Sequence, residues 1–417
     1  MTTAPRSAVV IGGGIVGLAT AYDLSRHGIS VTVVDEGHID QRASSATAGI
    51  IGGSSVIPWA NDQLWGRVPG MLLDRTKPLY LTWPLPKKLA SFLRYSLQSG
   101  RPDTVKASAA GLANLGLKGR AYWADLLRDL PEAAELFDYE GCLLFYDSEA
   151  AKKGDAKDTA LRRGFGMQID DLTADEVRQI LPPLEKPVFG ASSVTTAGHV
   201  VDPVGLQNAL CDGIKRNGGQ FAKARAEALK LANGAVISVK AGTQEISGDV
   251  FVLAAGQGAA DLGRELGIRI PMAPAWGVSV TFQDPGINLK VPLLVLNEGL
   301  AITPSRQGLR VSGLLQIGGE GKASTMQARL MTVARQIFGD FSYTGTQTFM
   351  GPRPLTADSL PFLGQDTSCT NLFHNFGHGH WGLTQASTSA SVVRNLILGR
   401  PSEIDISAYR PDRFCNQ

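Results

Sequence analysis

The sequence predicts an α/β protein with an α+β second domain: a Rossmann-type dinucleotide-binding domain interleaved with an antiparallel-sheet substrate domain. Three observations predict it. A glycine-rich turn follows an apolar run at residues 7–11. A similar short apolar run recurs near residue 250, and a long helical stretch closes the sequence. The chain has 417 residues, more than one hydrophobic core usually organises.

Each element follows from local pattern. Ser7 to Ile11 is apolar and ends in glycines, as a buried parallel strand does. Ile15 to His27 carries helical periodicity and stops at Gly28, a C′ glycine. Ser30 to Val34 is β-branched at alternate positions and ends at Asp35, completing a βαβ unit. From Trp59 to Asp138 the chain is Pro-rich and then helical. Asp202 and Pro203 are an N-cap and an N1 proline for a helix to about Arg216. Phe221 to Lys240 reads as strands broken by an Asn233-Gly234 turn. Val250 to Leu253 is another buried strand, closed by Ala254-Ala255-Gly256. Trp276 to Phe282, Leu293 to Leu296 and Leu309 to Gly313 are expected in the second sheet, and Leu383 to Leu398 in the last helix. The expected division is 1–58, 190–262 and 345–417 for the dinucleotide half, and 59–189 with 263–344 for the substrate half.

Composition narrows the function class. Hydrophobic residues make 43% and charged residues 19%, an ordinary globular balance. A net charge of +2 without a basic tail argues against a nucleic-acid partner. The cysteines at 142, 211, 369 and 415 are scattered, with neither Cys-x-x-Cys nor metal spacing, so reduced thiols and no metal are expected. The apolar stretch from Ala8 to Ala21 is too short to span a bilayer and carries spaced glycines that a signal peptide does not need.

Gly12-Gly13-Gly14-Ile15-Val16-Gly17 contains G-x-G-x-x-G. Gly12 permits the tight turn, Gly14 lets backbone approach a pyrophosphate, and Gly17 lets helix and strand pack closely. The amides of Ile15 and Val16 then open a helix whose positive end faces phosphate. Asp35 lies 23 residues beyond Gly12, where a carboxylate accepts from ribose hydroxyls and disfavours a 2′-phosphate. These residues establish a dinucleotide, not which one.

Three further segments bear on that choice. Ser44-Ser45-Ala46-Thr47-Ala48-Gly49-Ile50 offers small residues on which a flat ring system can rest, and serines that reach phosphate or ribose. Gly351-Pro352-Arg353-Pro354 mounts a planar guanidinium between prolines, suited to bidentate capture of a carboxylate. Asn375 to Thr384 places Gly377, Gly379 and Gly382 ahead of a helix N-terminus, where a flavin edge that gains negative charge on reduction would be stabilised. His378 and His380 are the acid–base candidates there, against a role in shaping backbone. Trp276 and Trp381 are candidates to roof the pocket.

Together the fingerprint, the Ser-Ser-Ala-x-Ala-Gly segment, the Gly-Pro-Arg-Pro-x-Thr-x-Asp-x-x-Pro stretch at 351–361 and the Gly-His-Gly-x-x-Gly-x-Thr close resemble the D-amino-acid oxidase superfamily of flavoproteins. Within it the bacterial D-amino-acid dehydrogenases are most similar, nearly end to end, including the 310–319 strand region. The resemblance implies FAD, held by Gly12, Gly14, Gly17 and Asp35. Ser44, Ser45, Ala48, Gly49 and Ile50 would line the path to the ring, with Gly256 as a further contact. Gly377, His378, Gly379, Gly382, Leu383 and Thr384 would meet the flavin edge, and Arg353 the substrate carboxylate. It implies oxidative deamination of D-amino acids to 2-oxo acids through an imine, with hydride passing from Cα to flavin N5. His380-Trp381 departs from the dehydrogenase pattern, which leaves secondary amines, an oxidase and a non-catalytic flavin-binding subunit as alternatives.

Residues 71–99 interleave aromatics and leucines with Lys77, Lys87, Lys88 and Arg94. A dehydrogenase passing electrons to a quinone would need such a segment at the inner face of the cell membrane. The favoured reading is a helix packed over the active site of a cytoplasmic protein.

Overall fold

A computed structural model describes residues 5–38, 42–52, 56–61, 79–81, 89–319 and 323–415. Two large sheets organise the chain. The first has six strands in the spatial order 220–223, 30–35, 7–11, 250–253, 372–376 and 362–365. The first five are parallel and the last is antiparallel to its neighbour. This is half of a doubly wound dinucleotide fold, and its ligand crevice lies beyond the strands' carboxyl ends. The Ile15–Arg26 helix follows the first strand and is buried along most of its length. It packs against the Gly382–Ile397 helix, which is also buried almost throughout. An ion pair joins the two helices, Arg394 with Asp23 at 3.1 Å.

The second sheet has nine strands and is mostly antiparallel. At one end of its strand order, Met272–Gln283 pairs with both Gly308–Ile317 and Gly345–Thr356. The strands Gly190–Val194 and Gly345–Thr356 belong to this sheet, although the sequence boundaries grouped them with the dinucleotide half. The Asp202 carboxylate caps the Pro203–Arg216 helix by accepting from Gly205 N at 2.8 Å. Asn233 and Gly234 take positive φ values of 51° and 72°, the turn that an Asn-Gly pair favours.

Most of the 71–99 segment lies outside the described residues. Its Leu89–Ser99 helix turns Leu89, Phe92 and Tyr95 inward. Phe92 stacks on Trp59 at 5.2 Å, and Tyr95 meets Phe414 edge-on at 5.1 Å. Those aromatics are core, while Leu97 is exposed. Among the described residues no helix is long and apolar enough to cross a membrane.

Candidate active site

A continuous cavity of about 970 Å³ runs from Asp35 to Arg353. One end is the crevice of the parallel sheet and the other is the face of the second sheet.

At the sheet end, steric necessity explains the glycines. Gly12 has φ +112°, and a Cβ there would lie 2.5 Å from Ala254 O. A Cβ on Gly17 would lie 1.9 Å from Gly12 O. Gly17 is therefore a packing glycine that lets the helix start against the turn. It is not in the cavity wall, whereas Gly12, Gly14, Ile15 and Val16 are. Asp35 accepts from Gly13 N at 2.7 Å and Gly37 N at 2.8 Å, and pairs with Arg42. Ser44 Oγ accepts from Ile15 N at 2.9 Å, so this serine meets the start of the helix directly. Gly256, with φ +53°, closes the wall beside Ala254 and Ala255.

The 44–50 loop divides into lining and support. Ser44, Ala48 and Ile50 border the cavity. Ser45 is fully buried behind it, its hydroxyl accepting from Gln207 Nε2 at 3.2 Å. Gly49 has φ +82°, and a Cβ there would lie 2.7 Å from Val200 O. Ser45 and Gly49 thus shape the loop, in contrast with the expectation that they line the path.

The last loop borders the cavity with Gly377, Gly379, Gly382, Leu383 and Thr384. Leu383 O accepts from Trp123 Nε1 at 2.9 Å, which ties the loop to a neighbouring helix. His378 also borders the cavity but its side chain is buried, its Nε2 sharing a hydrogen bond with Ser389 Oγ at 3.2 Å. Burial drives its pKa down to about 3. His380 opens to the cavity and lies on Trp381, ring centroids 3.7 Å apart. Desolvation by the surrounding protein, then the nearby Arg353 charge, lowers it to about 3 as well. Both shifts favour the neutral imidazole. Trp381 is in the cavity wall and Trp276 is outside it.

These neutral histidines have a stability consequence. His199, fully buried, is also lowered by burial. For His199 and His378 the unfolded chain binds protons below pH 6.5, while the folded protein resists them down to about 3 for His378. The contribution of His378 is therefore fully present above pH 6.5 and falls as pH drops toward 3, by about 1.4 kcal/mol per pH unit, and His199 adds a loss of the same sign. Thermal melts from pH 7 to 4 should show Tm falling. A flat Tm would contradict the buried neutral state.

Arg353 sits on the Gly345–Thr356 strand opposite Ala275. Its guanidinium extends over Gly277, where a Cβ would come within 1.8 Å of Nη1. Nη1 donates to Leu314 O at 3.0 Å. That carbonyl is presented by a bulge. Trp276 pairs with Gln316 and Val278 with Gly313, so the 308–317 strand carries one extra residue there. Leu314 takes φ +58°, a left-handed conformation that β-sheet leucines avoid. Among the described residues no carboxylate pairs with Arg353. Burial lowers its pKa to about 10, which still leaves it charged. A buried, singly bonded guanidinium on a cavity wall is set to receive an anion. Gly277→Ala should displace it. We expect carboxylate ligands such as benzoate to bind about 10- to 100-fold more weakly, read by perturbation of the flavin spectrum.

Sequence reasoning missed Gly277 and Leu314. Neither carries a functional group, and the bulge is visible only in the strand register.

The crevice, the glycine cradle with no room for a side chain, and the length of the cavity fit an extended dinucleotide ending at an anion site. That combination defines a flavin-dependent oxidoreductase. The chain belongs to the DAO family of FAD-dependent oxidoreductases, which it matches over residues 7–396. It is 29% identical to a D-amino-acid oxidase of Bradyrhizobium diazoefficiens, over 98% of this chain and 99% of that protein. It is 29% identical to a D-amino acid dehydrogenase of Dechloromonas aromatica, over 96% and 99% respectively. Glycine oxidase from Geobacillus kaustophilus superposes with a TM-score of 0.76 at 20% identity, covering 98% of both chains.

Proposed function

We propose that the enzyme oxidises the Cα–N bond of D-amino acids, giving a 2-oxo acid and ammonia. The observation that carries this reading is Arg353: buried, charged and facing the cavity without an acidic partner. Relatives named for D-amino-acid oxidation support the substrate class.

Arg353 grips the substrate carboxylate through the guanidinium face that Leu314 leaves free. Fixing the carboxylate fixes the Cα–H direction, which is the main service a protein can render to hydride removal. FAD, held between the glycine turn at 12–14 and the 377–384 loop, would supply the two-electron acceptor for the α-hydrogen as hydride. Nitrogen loses a proton, and the resulting imine adds water and expels ammonia. The neutral imidazole of His380 borders the same region without adding charge. Leu294, Leu296, Leu300, Leu314 and Leu315 also line the cavity. Leu300 lies over Gly313, next to the bulge that holds Arg353. This apolar wall favours a side chain without charge.

A second reading keeps the site and changes the amine. Among the described residues no acidic group stands with His380 and Trp381 to hold an ammonium, so a secondary amine such as an N-alkyl glycine fits the same carboxylate grip. An anaerobic screen of flavin bleaching by D-, L-, cyclic and N-substituted amino acids decides between them. The D-amino-acid reading is lost if apolar D-amino acids fail to bleach the flavin while N-substituted ones succeed. In the dehydrogenase form of the reading, the electrons pass to a quinone at the inner membrane face. Rapid reoxidation by air, with no response to a soluble quinone, would replace it with an oxidase.

A further inference from the structure

The face of the second sheet that meets the 44–50 loop is polar, although it is buried. Ser279 and Thr281 are on one strand, Arg310 and Ser312 on the next, and Thr303 on the third. Register pairs Ser279 with Ser312, Thr281 with Arg310, and Thr303 with Arg310. All five are 4% exposed or less. The alternate residues Val278, Val280, Leu309 and Val311 belong to the hydrophobic core. A buried polar face needs partners, because each unmet group would cost about 1–3 kcal/mol.

The partners are backbone carbonyls of the loop. Arg310 Nε donates to Thr47 O at 2.8 Å, and Nη2 donates to Ser45 O. The same Nη2 reaches Ser279 Oγ at 2.7 Å, and Nη1 reaches Thr281 Oγ1 at 3.3 Å. Thr303 Oγ1 donates to Ala48 O at 2.9 Å. Among the described residues Arg310 forms no ion pair, and burial lowers its pKa to about 10. The guanidinium is thus held by the loop carbonyls and two hydroxyls. A trans peptide points its N–H opposite to its C=O. Turning the Thr47 carbonyl toward the sheet therefore turns the Ala48 N–H away from it, and Thr47 and Ala48 line the cavity.

From this we infer that Arg310 is a positioning residue for FAD: it latches the 45–48 carbonyls to the substrate sheet and thereby presents the other side of the loop to the cofactor. The inference concerns cofactor binding and holds whichever amine is oxidised. It also explains why a charge lies inside a sheet whose other face is apolar. Arg310 does not enter the cavity wall.

The test is FAD titration of the apoprotein, followed by flavin fluorescence quenching. Arg310→Met should lower FAD affinity about 100-fold, and Thr303→Val about 5-fold. Arg310→Lys keeps the charge but cannot span both carbonyls, so it should fall between wild type and Arg310→Met. Arg162→Met is the control. It breaks a buried pair with Asp155, 3.0 Å apart, on a helix outside the cavity. It should lower Tm and leave FAD affinity within twofold. The latch is overturned if folded Arg310→Met binds FAD within twofold of wild type. Should that variant not fold, the same result for Thr303→Val overturns it.

Discussion

Replacing Arg353 with methionine should slow flavin reduction by amino-acid substrate about 30- to 1,000-fold, with FAD content unchanged. The range corresponds to about 2–4 kcal/mol of lost transition-state stabilisation, the scale set by removing one strong donor from a dry site. Among the described residues the guanidinium makes a single hydrogen bond, with Leu314 O. Its removal therefore leaves one carbonyl unmet but breaks no ion pair. Methionine fills the volume over Gly277, so the effect on folding should be small compared with the effect on the reaction. Arg353→Lys retains charge without the planar fork and should recover only part of the rate. Anaerobic stopped-flow bleaching is the measurement. Near-normal bleaching by Arg353→Met would remove Arg353 from the mechanism and with it the carboxylate requirement.

Gly17→Ala should have the largest effect on the cofactor. The added methyl would sit 1.9 Å from Gly12 O, so the helix must move away from the turn. Gly12 cannot retreat, because Ala254 O lies 2.5 Å from its own Cβ direction. Overpacking of this kind costs about 1–3 kcal/mol. If FAD binding needs the unshifted backbone, the same energy appears as about 5- to 150-fold weaker affinity. The purified variant should lose its yellow colour on gel filtration at low FAD. A variant that retains full FAD would show that the helix start has room it does not display.

The dinucleotide half was legible because its rules are local. Strand, glycine turn, helix and acid follow one another within residues 7–35, and each declares itself by residue type. The place of Arg353 on the cavity wall follows a similarly local cue, its position between prolines. The supports were not. Ser45 and Gly49 have the composition of lining residues, and only the packing against Gln207 and Val200 shows them behind the loop. His378 and His380 look like acid–base groups in sequence, and desolvation by the surrounding protein lowers the pKa of both. Gly277, Leu314 and Arg310 owe their roles to strands distant in sequence. Arg310 did leave one trace: Ser-Val-Thr at 279–281 and Arg-Val-Ser at 310–312 alternate polar with apolar, the mark of a strand with two different faces.

The bulge at Leu314 also sets a limit on how this gene can change length. Deleting one residue from the 313–315 stretch would restore even pairing with the Met272–Gln283 strand and remove the left-handed leucine. By local criteria the shorter strand is the better one. It would also take the 314 carbonyl off the Arg353 guanidinium. Single-codon deletions here should therefore yield a protein that folds and takes up FAD yet cannot hold its substrate, so insertion and deletion scanning would reveal the anion site by where shortening is forbidden.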